Sequence, residues 1–182
     1  RAGLWNLGLR LGQPDLDQRY VEYLLSRLRG AGFLKQAVLL AQDWFHNRKG
    51  ERVPGRTSFY TPNDYVAELA ARFPEFLFGA SIHPYREDAL EELEQVAGLG
   101  AVLVKWIPNA QGIELIDPRC RAFYRQLAAH QMALLVHVGD ERAVSAAHQE
   151  YGDPRRLEAP LAEGVSVIAA HLASLGEGEG GS

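Results

Sequence analysis

Short, nearly continuous apolar runs alternate along this chain with amphipathic segments of helical period, and that alternation constrains the fold more than any other feature. The runs are Ala37 to Gln42, Phe76 to Ile82, Ala101 to Trp106, Met132 to Val138 and Val165 to His171. A strand with one wet face would alternate apolar and polar residues. These runs do not, so they suit a parallel sheet covered on both faces. Between them, Leu16, Tyr20, Leu24 and Leu28 recur at helical spacing, with Gly30 and Gly32 placed for a left-handed helix end. Tyr65, Leu69 and Phe73 repeat that spacing, Leu90, Leu93 and Val96 use a three-residue variant, and Phe123 and Leu127 share a face. Asp117 before Pro118 and Asp153 before Pro154 each pair a capping carboxylate with a residue suited to a helix's first turn. The expectation is an α/β chain of about five parallel strands alternating with helices, in a single domain over residues 1–182. The stretch from Asp43 to Pro62 is the longest irregular one, and loops of that length usually carry function or move.

Composition narrows the functional classes. With 47% hydrophobic and 23% charged residues and a net charge of −4, the chain reads as an ordinary globular domain. Its basic residues are scattered, without the lysine- and arginine-rich block that phosphate backbones require, so nucleic acid is set aside as a partner. No run approaches the 18 or so apolar residues of a membrane span, and no signal-peptide pattern opens the sequence. Cys120 is the sole cysteine, which excludes an intrachain disulfide and points to a cytoplasmic setting; it reads as a half-buried helix residue without thiol chemistry. The expected partner is a small-molecule substrate, with self-association left open.

Sites on parallel sheets form where the strands end, at their carboxyl termini. Reading the residue that closes each run gives Asp43, His83, Lys105, His137 and His171, a polar column at the ends of otherwise apolar segments. Strand alternation puts Lys105 on the face of Leu103 and Ala101, His137 on that of Leu135 and Ala133, and His171 on that of Ala169 and Val167. Val102, Val104, Leu134, Val136 and Ile168 then lie opposite. On this reading Lys105, His137 and His171 project over one mouth, where neighbouring strands about 4.8 Å apart let their ends converge. Neutral imidazole is a common ligand for zinc-like ions, and two imidazoles need further donors to hold one. Lys105 can be read as a carbamate-forming ligand, as a partner for a substrate anion, or as a salt-bridged structural residue. His46, His83 and Asp43 are candidate substrate contacts. Asp140 and Trp106 flank the mouth in sequence, and His130 and His148 are assigned to helices.

The stretch GAVLVKWIPNAQGIELIDPRCRAFYRQLAAHQMALLVHVGD, followed by VSVIAAHLAS, resembles the amidohydrolase-related branch of the metal-dependent amidohydrolase superfamily. Members of that branch commonly read like GAVGVKLHPNAQGF, then LPVLVHTG, then ILAHLG. Upstream, FYTPNDYVAELAARFPEFLFGASIHPYREDALEELE is similar to their third-strand region, so the resemblance covers roughly residues 35–175. It implies a partial (β/α)8 TIM-like barrel. It implies that His137 ligates a divalent metal, of the zinc type, and that His171 ligates a second metal or acts beside a single one as acid, base or water-orienting group. It places Lys105 where some members carry a carbamylated lysine, although single-metal sites are usual in this branch.

Two family features have no counterpart here: a His-x-His pair ending the first strand, and the aspartate ending the eighth. The expectation is therefore a truncated barrel, beginning after the first strand and stopping before the seventh. Ile107 also stands where many relatives have histidine. The activity implied is hydrolysis of a small carbonyl or carboxylate substrate by metal-activated water, with His171 moving the proton. The alternatives are a non-oxidative decarboxylase of the same branch, a metal-independent lyase forming a Schiff base on Lys105, and a non-catalytic truncated barrel acting as a scaffold or binding module.

Overall fold

The computed structural model describes residues 14–171. The expectations about both chain ends, and the last residues of VSVIAAHLAS, fall outside that range. Every expected run contains a strand, each shorter than the run by two residues or more: β1 (Ala37–Leu40), β2 (Phe76–Ala80), β3 (Leu103–Trp106), β4 (Ala133–His137) and β5 (Val167–Ala170). They form one parallel sheet in the order β1-β2-β3-β4-β5. Successive strands are neighbours, as βα units demand. The helices are α1 (Leu16–Gly30), α2 (Asn63–Arg72), α3 (Ala89–Gly98), α4 (Pro108–Gln111), α5 (Cys120–Ala129) and α6 (Glu158–Ala162).

The two faces of the sheet differ. One presents Phe78, Ala80, Val104, Trp106, Leu134 and Val136, which pack with Val66 of α2, Leu93 and Val96 of α3, and Phe123, Tyr124 and Leu127 of α5 in a single apolar core. Full burial of such side chains contributes roughly 1.5–3 kcal/mol each. A smaller cluster seats Val21, Leu25 and Leu28 of α1 against Phe76. The opposite face carries Leu40, Leu77, Gly79, Leu103, Lys105, Leu135, His137 and Ile168, by the strand register. It is less covered at the edges, where Leu40 is 41% and Ile168 46% exposed. At Gly79 a methyl group would lie 2.7 Å from the Leu40 side chain and 2.8 Å from that of Val38, so this face of β2 stays bare for its neighbours to close over.

Two helical stripes are shifted from their expected positions. Of Leu16, Tyr20, Leu24 and Leu28, only Leu28 is fully buried, and the packed edge of α1 is Val21, Leu25 and Leu28. On α2 the buried pair is Val66 and Ala67, while Tyr65 is exposed. A residue every fourth position drifts about 40° around the helix per step, so a strict series walks off the core; mixed three- and four-residue steps do not. The two Asp-Pro starts differ: α5 begins at Cys120 with Arg119 at its N-cap and no side-chain cap bond, so Asp117 closes only the turn before it, whereas Asp153 does cap. Asp117 Oδ1 accepts the Arg119 N–H at 3.0 Å just before α5. Asp153 Oδ1 accepts the Arg155 N–H at 2.9 Å, but it opens a 3₁₀ turn, Pro154–Leu157, ahead of α6.

The stretch after β1 is irregular, as expected. It is pinned by bridges pairing Gln42 with Thr61 and His46 with Arg52, and by a 3₁₀ turn at Pro54–Arg56.

Candidate functional site at the carboxyl end of the sheet

The polar column lies at the carboxyl end of the strands but divides into two groups. In the first, Asp43 and His83 stand three residues past β1 and β2. Asp43 Oδ2 accepts the His83 N–H at 2.7 Å and an Arg86 N–H at 3.2 Å, while Oδ1 accepts the Trp44 N–H at 2.8 Å. His83 is fully buried; its Nε2–H donates to the Gln111 carbonyl at 2.9 Å and its Nδ1 accepts the Tyr85 N–H at 3.2 Å. Burial drives this imidazole down to about 3, so it stays neutral, with both nitrogens committed to backbone. These residues brace the loops that follow β1, β2 and β3; the His83 ring has both nitrogens in use, and Asp43 already accepts three hydrogen bonds.

The second group holds Lys105, His137 and His171. Lys105 sits inside β3, paired with Leu135 of β4, and therefore shares its face with His137 two residues on. His171 departs from expectation. The register pairs Leu134 with Val167 and Val136 with Ala169, so Val167 and Ala169 face the helix-packed core and Ile168 lies on the side of Leu135 and His137. Alternation alone would then turn His171 away from His137. It does not, because β5 ends at Ala170 and His171 takes a left-handed backbone conformation, φ 63°. That twist takes the residue out of the strand's alternation, and the His137 and His171 ring centroids stand 5.1 Å apart. Histidine is among the residues that tolerate this conformation best.

A fourth member, Glu141, was missed in the sequence. It is buried, and its Oε2 lies 3.4 Å from His137 Nδ1. Its Oε1 accepts the backbone N–H groups of Ala143 and Val144, and its own backbone is tied on both sides to the Gln149 amide at 2.9 and 2.8 Å. The carboxylate is thus fixed before any ligand arrives. A signal was present: a carboxylate four residues past a strand-end histidine, beyond Gly139, whose φ of 88° turns the chain back. Asn109 of α4 anchors that turn, donating to the carbonyls of Gly139 and Gln149 at 3.1 Å.

Burial pushes the His137 imidazole below its ordinary value; Glu141 and the Asp140 carbonyl, 3.3 Å from Nε2, oppose that, and Lys105 and His171 add to it. Lys105 is 7% exposed, and its ammonium has no hydrogen bond or ion pair among the described residues. Burial lowers it to about 8, with Glu141 pulling the other way from beyond ion-pair distance.

A metal finds only part of what it needs here. Among the described residues no three His, Cys, Asp or Glu side chains are grouped so as to hold an ion. His137 and His171 offer two imidazoles, and His137 Nδ1 faces a carboxylate. These groups do not by themselves fit a metal centre, which needs more donors than two.

The remaining candidates have structural surroundings. Trp106 is fully buried in the helix-side core, away from the mouth, and its Nε1–H donates to the Ile82 carbonyl at 2.7 Å. Asp140 pairs with Arg142 at the surface. His130 follows α5 and meets Glu94 at 2.9 Å. His148 is not on a helix; it precedes a 3₁₀ turn and stacks on Tyr151 at 4.7 Å. Cys120 is fully rather than half buried, and burial pushes its thiol up to about 12, which suppresses thiolate chemistry. No described helix is long and apolar enough to cross a membrane.

No protein-family model matches the sequence, and no curated protein does. Among solved structures the chain is similar to an uncharacterized TIM-barrel protein from Bordetella bronchiseptica, at 17% identity and a TM-score of 0.61. The match covers 90% of this chain and 55% of that one, so the chain spans about half of its neighbour's length. At that identity the likeness concerns the fold, and it agrees with a partial barrel of alternating strands and helices.

Proposed function

We propose that the ends of β3, β4 and β5 form a hydrolytic site for a small carbonyl substrate bearing a carboxylate, of the type that the amidohydrolase-like sequence suggests. One observation supports this above the others: two imidazoles from adjacent strands stand 5.1 Å apart beside Lys105, a residue 7% exposed whose ammonium has no hydrogen bond or ion pair among the described residues. A lysine drawn into a mostly covered site without an ion pair is costly, and structures seldom keep one without a use. The substrate's carboxylate is the counter-ion that Lys105 lacks. His171 makes no hydrogen bond among the described residues, so its ring is free to move a proton. In the reaction, water adds its oxygen to the substrate carbonyl carbon and passes a proton to His171. The carbon–nitrogen or carbon–oxygen bond then breaks, and His171 returns the proton to the leaving group. Glu141 holds the neighbouring His137 ring in place. A divalent metal, zinc by analogy with the family, would need donors beyond the described residues, with His137 the first of those present to bind it.

The test is a panel of small amides and esters, with and without a carboxylate, assayed with and without added Zn(II). His171→Ala is expected to lower kcat by 10²-fold or more. Lys105→Met is expected to raise KM for the carboxylate-bearing members and leave the neutral ones alone. Undiminished turnover in His171→Ala, or equal KM changes for charged and neutral substrates, overturns the reading. Release of carbon dioxide without hydrolysis would point to the decarboxylase instead. Zinc retained equally by wild type and His137→Ala would remove the ligand role.

A further inference from the structure

A cavity of about 530 Å³ opens between the long loop after β1 and the turn before α3, lined by His46, Gly50, Arg52, Arg86, Glu87, Asp88 and Glu91. Its walls are set by two contacts. An antiparallel bridge pairs His46 with Arg52, which puts both side chains on the same side of that small ladder. Gly50, with φ of 83°, lies so close to the Tyr85 carbonyl that a side chain there would collide with it, and this locks the two loops together.

The charges around the cavity are unequally committed. Arg86 is taken by Asp43, Asp88 and Glu92. Arg52 lies over the Trp44 ring, 5.1 Å from its centroid, and has no ion pair or hydrogen bond from its side chain among the described residues. Glu87 and Glu91 likewise have none. His46 is 4% exposed and its ring stands 4.8 Å from that of His83, tilted by 51°. Its Nδ1 faces the Trp44 carbonyl at 3.1 Å, and since a carbonyl only accepts, Nδ1 carries the proton. Nε2 is then an acceptor. It has no partner among the described residues and belongs to a ring that lines the cavity.

We propose that this cavity is a second binding site, for a small zwitterion of the amino-acid class, whose ammonium donates to His46 Nε2 and whose carboxylate pairs with Arg52. Glu87 and Glu91 supply the counter-charge that an ammonium needs, and Arg52 is the cavity's uncommitted cation. A plain amine would leave Arg52 facing a like charge, and a plain carboxylate would face Glu87 and Glu91 with nothing to offset them. The zwitterion alone satisfies both ends. The site is separate from the Lys105 group and does not depend on any activity there.

Titration of the whole chain with 4-aminobutanoate, butanoate and butylamine, followed by calorimetry and by the His46 ring resonances, tests the assignment. Saturable binding of 4-aminobutanoate is expected, at least tenfold tighter than either single-charge analogue. His46→Phe keeps an aromatic ring against His83 and removes the acceptor, and Arg52→Gln alters an exposed side chain. Each is expected to weaken binding at least tenfold with the circular dichroism spectrum unchanged. Should His46→Phe not fold, Arg52→Gln decides alone. Equal binding of the three probes, undiminished binding in Arg52→Gln, or loss of binding in Lys105→Met instead overturns the proposal.

Discussion

The polar group beyond β1 and β2 and the one at the ends of β3, β4 and β5 use the same residue types, at the same end of the same sheet. They differ in how completely their polar atoms are paired. Asp43 accepts three hydrogen bonds and His83 uses both ring nitrogens, so the first group is a closed network. In the second, the Lys105 and His171 side chains have no hydrogen bond among the described residues, and only the Glu141 carboxylate is held by backbone N–H groups. A closed network holds a fold, whereas an open one costs stability and leaves atoms available for a ligand. Residue type and place in the fold do not separate the two cases; partner accounting does.

The comparison is most exposed to failure at Asp43. Removing its carboxylate leaves the buried His83 N–H unpaired and takes from Arg86 one of its counter-charges. Asp43→Ala is expected to cost about 3–5 kcal/mol in urea unfolding, the usual cost of breaking a buried charged pair. A loss near zero would mean that the first group is no more structural than the second.

That distinction marks where the sequence stops being legible. The strands could be read because each is a covered apolar run of period one, and their order because βα units place successive strands side by side. The column of strand-end polar residues could be read for the same reason. What could not be read was which members would find partners, since those of His83 include the Gln111 carbonyl at the end of α4 and the Asp43 carboxylate beyond β1. Nor could the strand's last residue be foreseen. His171 reaches His137 through a single backbone angle, where alternation had assigned it to the same face for the wrong reason. Glu141 escaped because its importance arises from a turn closed by Asn109 and Gln149, about forty residues apart in the chain.

Lys105 sharpens the comparison in the opposite direction from Asp43. Lys105 is largely buried and makes no ion pair among the described residues, so Lys105→Met is expected to stabilise the protein at pH 7 by about 2–3 kcal/mol, from a shift to about 8 against an ordinary value near 10.4. The effect depends on pH. Below about 8 the lysine is charged in both folded and unfolded chains, and the burial penalty is present in full. Between about 8 and 10.4 the unfolded chain binds more protons than the folded one, so wild-type stability rises with pH relative to the variant and the gap closes. Urea midpoints for the two proteins at pH 7 and pH 10 measure it. A gap that stays constant, or a variant less stable than wild type at pH 7, would give Lys105 a structural role and align the two groups.

The smallest expected effect bears on His171. A non-glycine residue in the left-handed region carries strain of about 1 kcal/mol or more, which glycine avoids. His171→Gly and His171→Ala remove the same ring and the same contact with His137, so their difference isolates the backbone. The glycine variant is expected to be the more stable by about 1 kcal/mol, less whatever entropy the freer unfolded chain recovers. If alanine proves equal or better, the residue is not held at positive φ. Its side chain would then follow the strand's alternation toward the helix-packed face, and the pairing of imidazoles on which the open group depends would be lost. A stability difference between two variants that both lack the ring therefore tests the geometry of the site without any substrate.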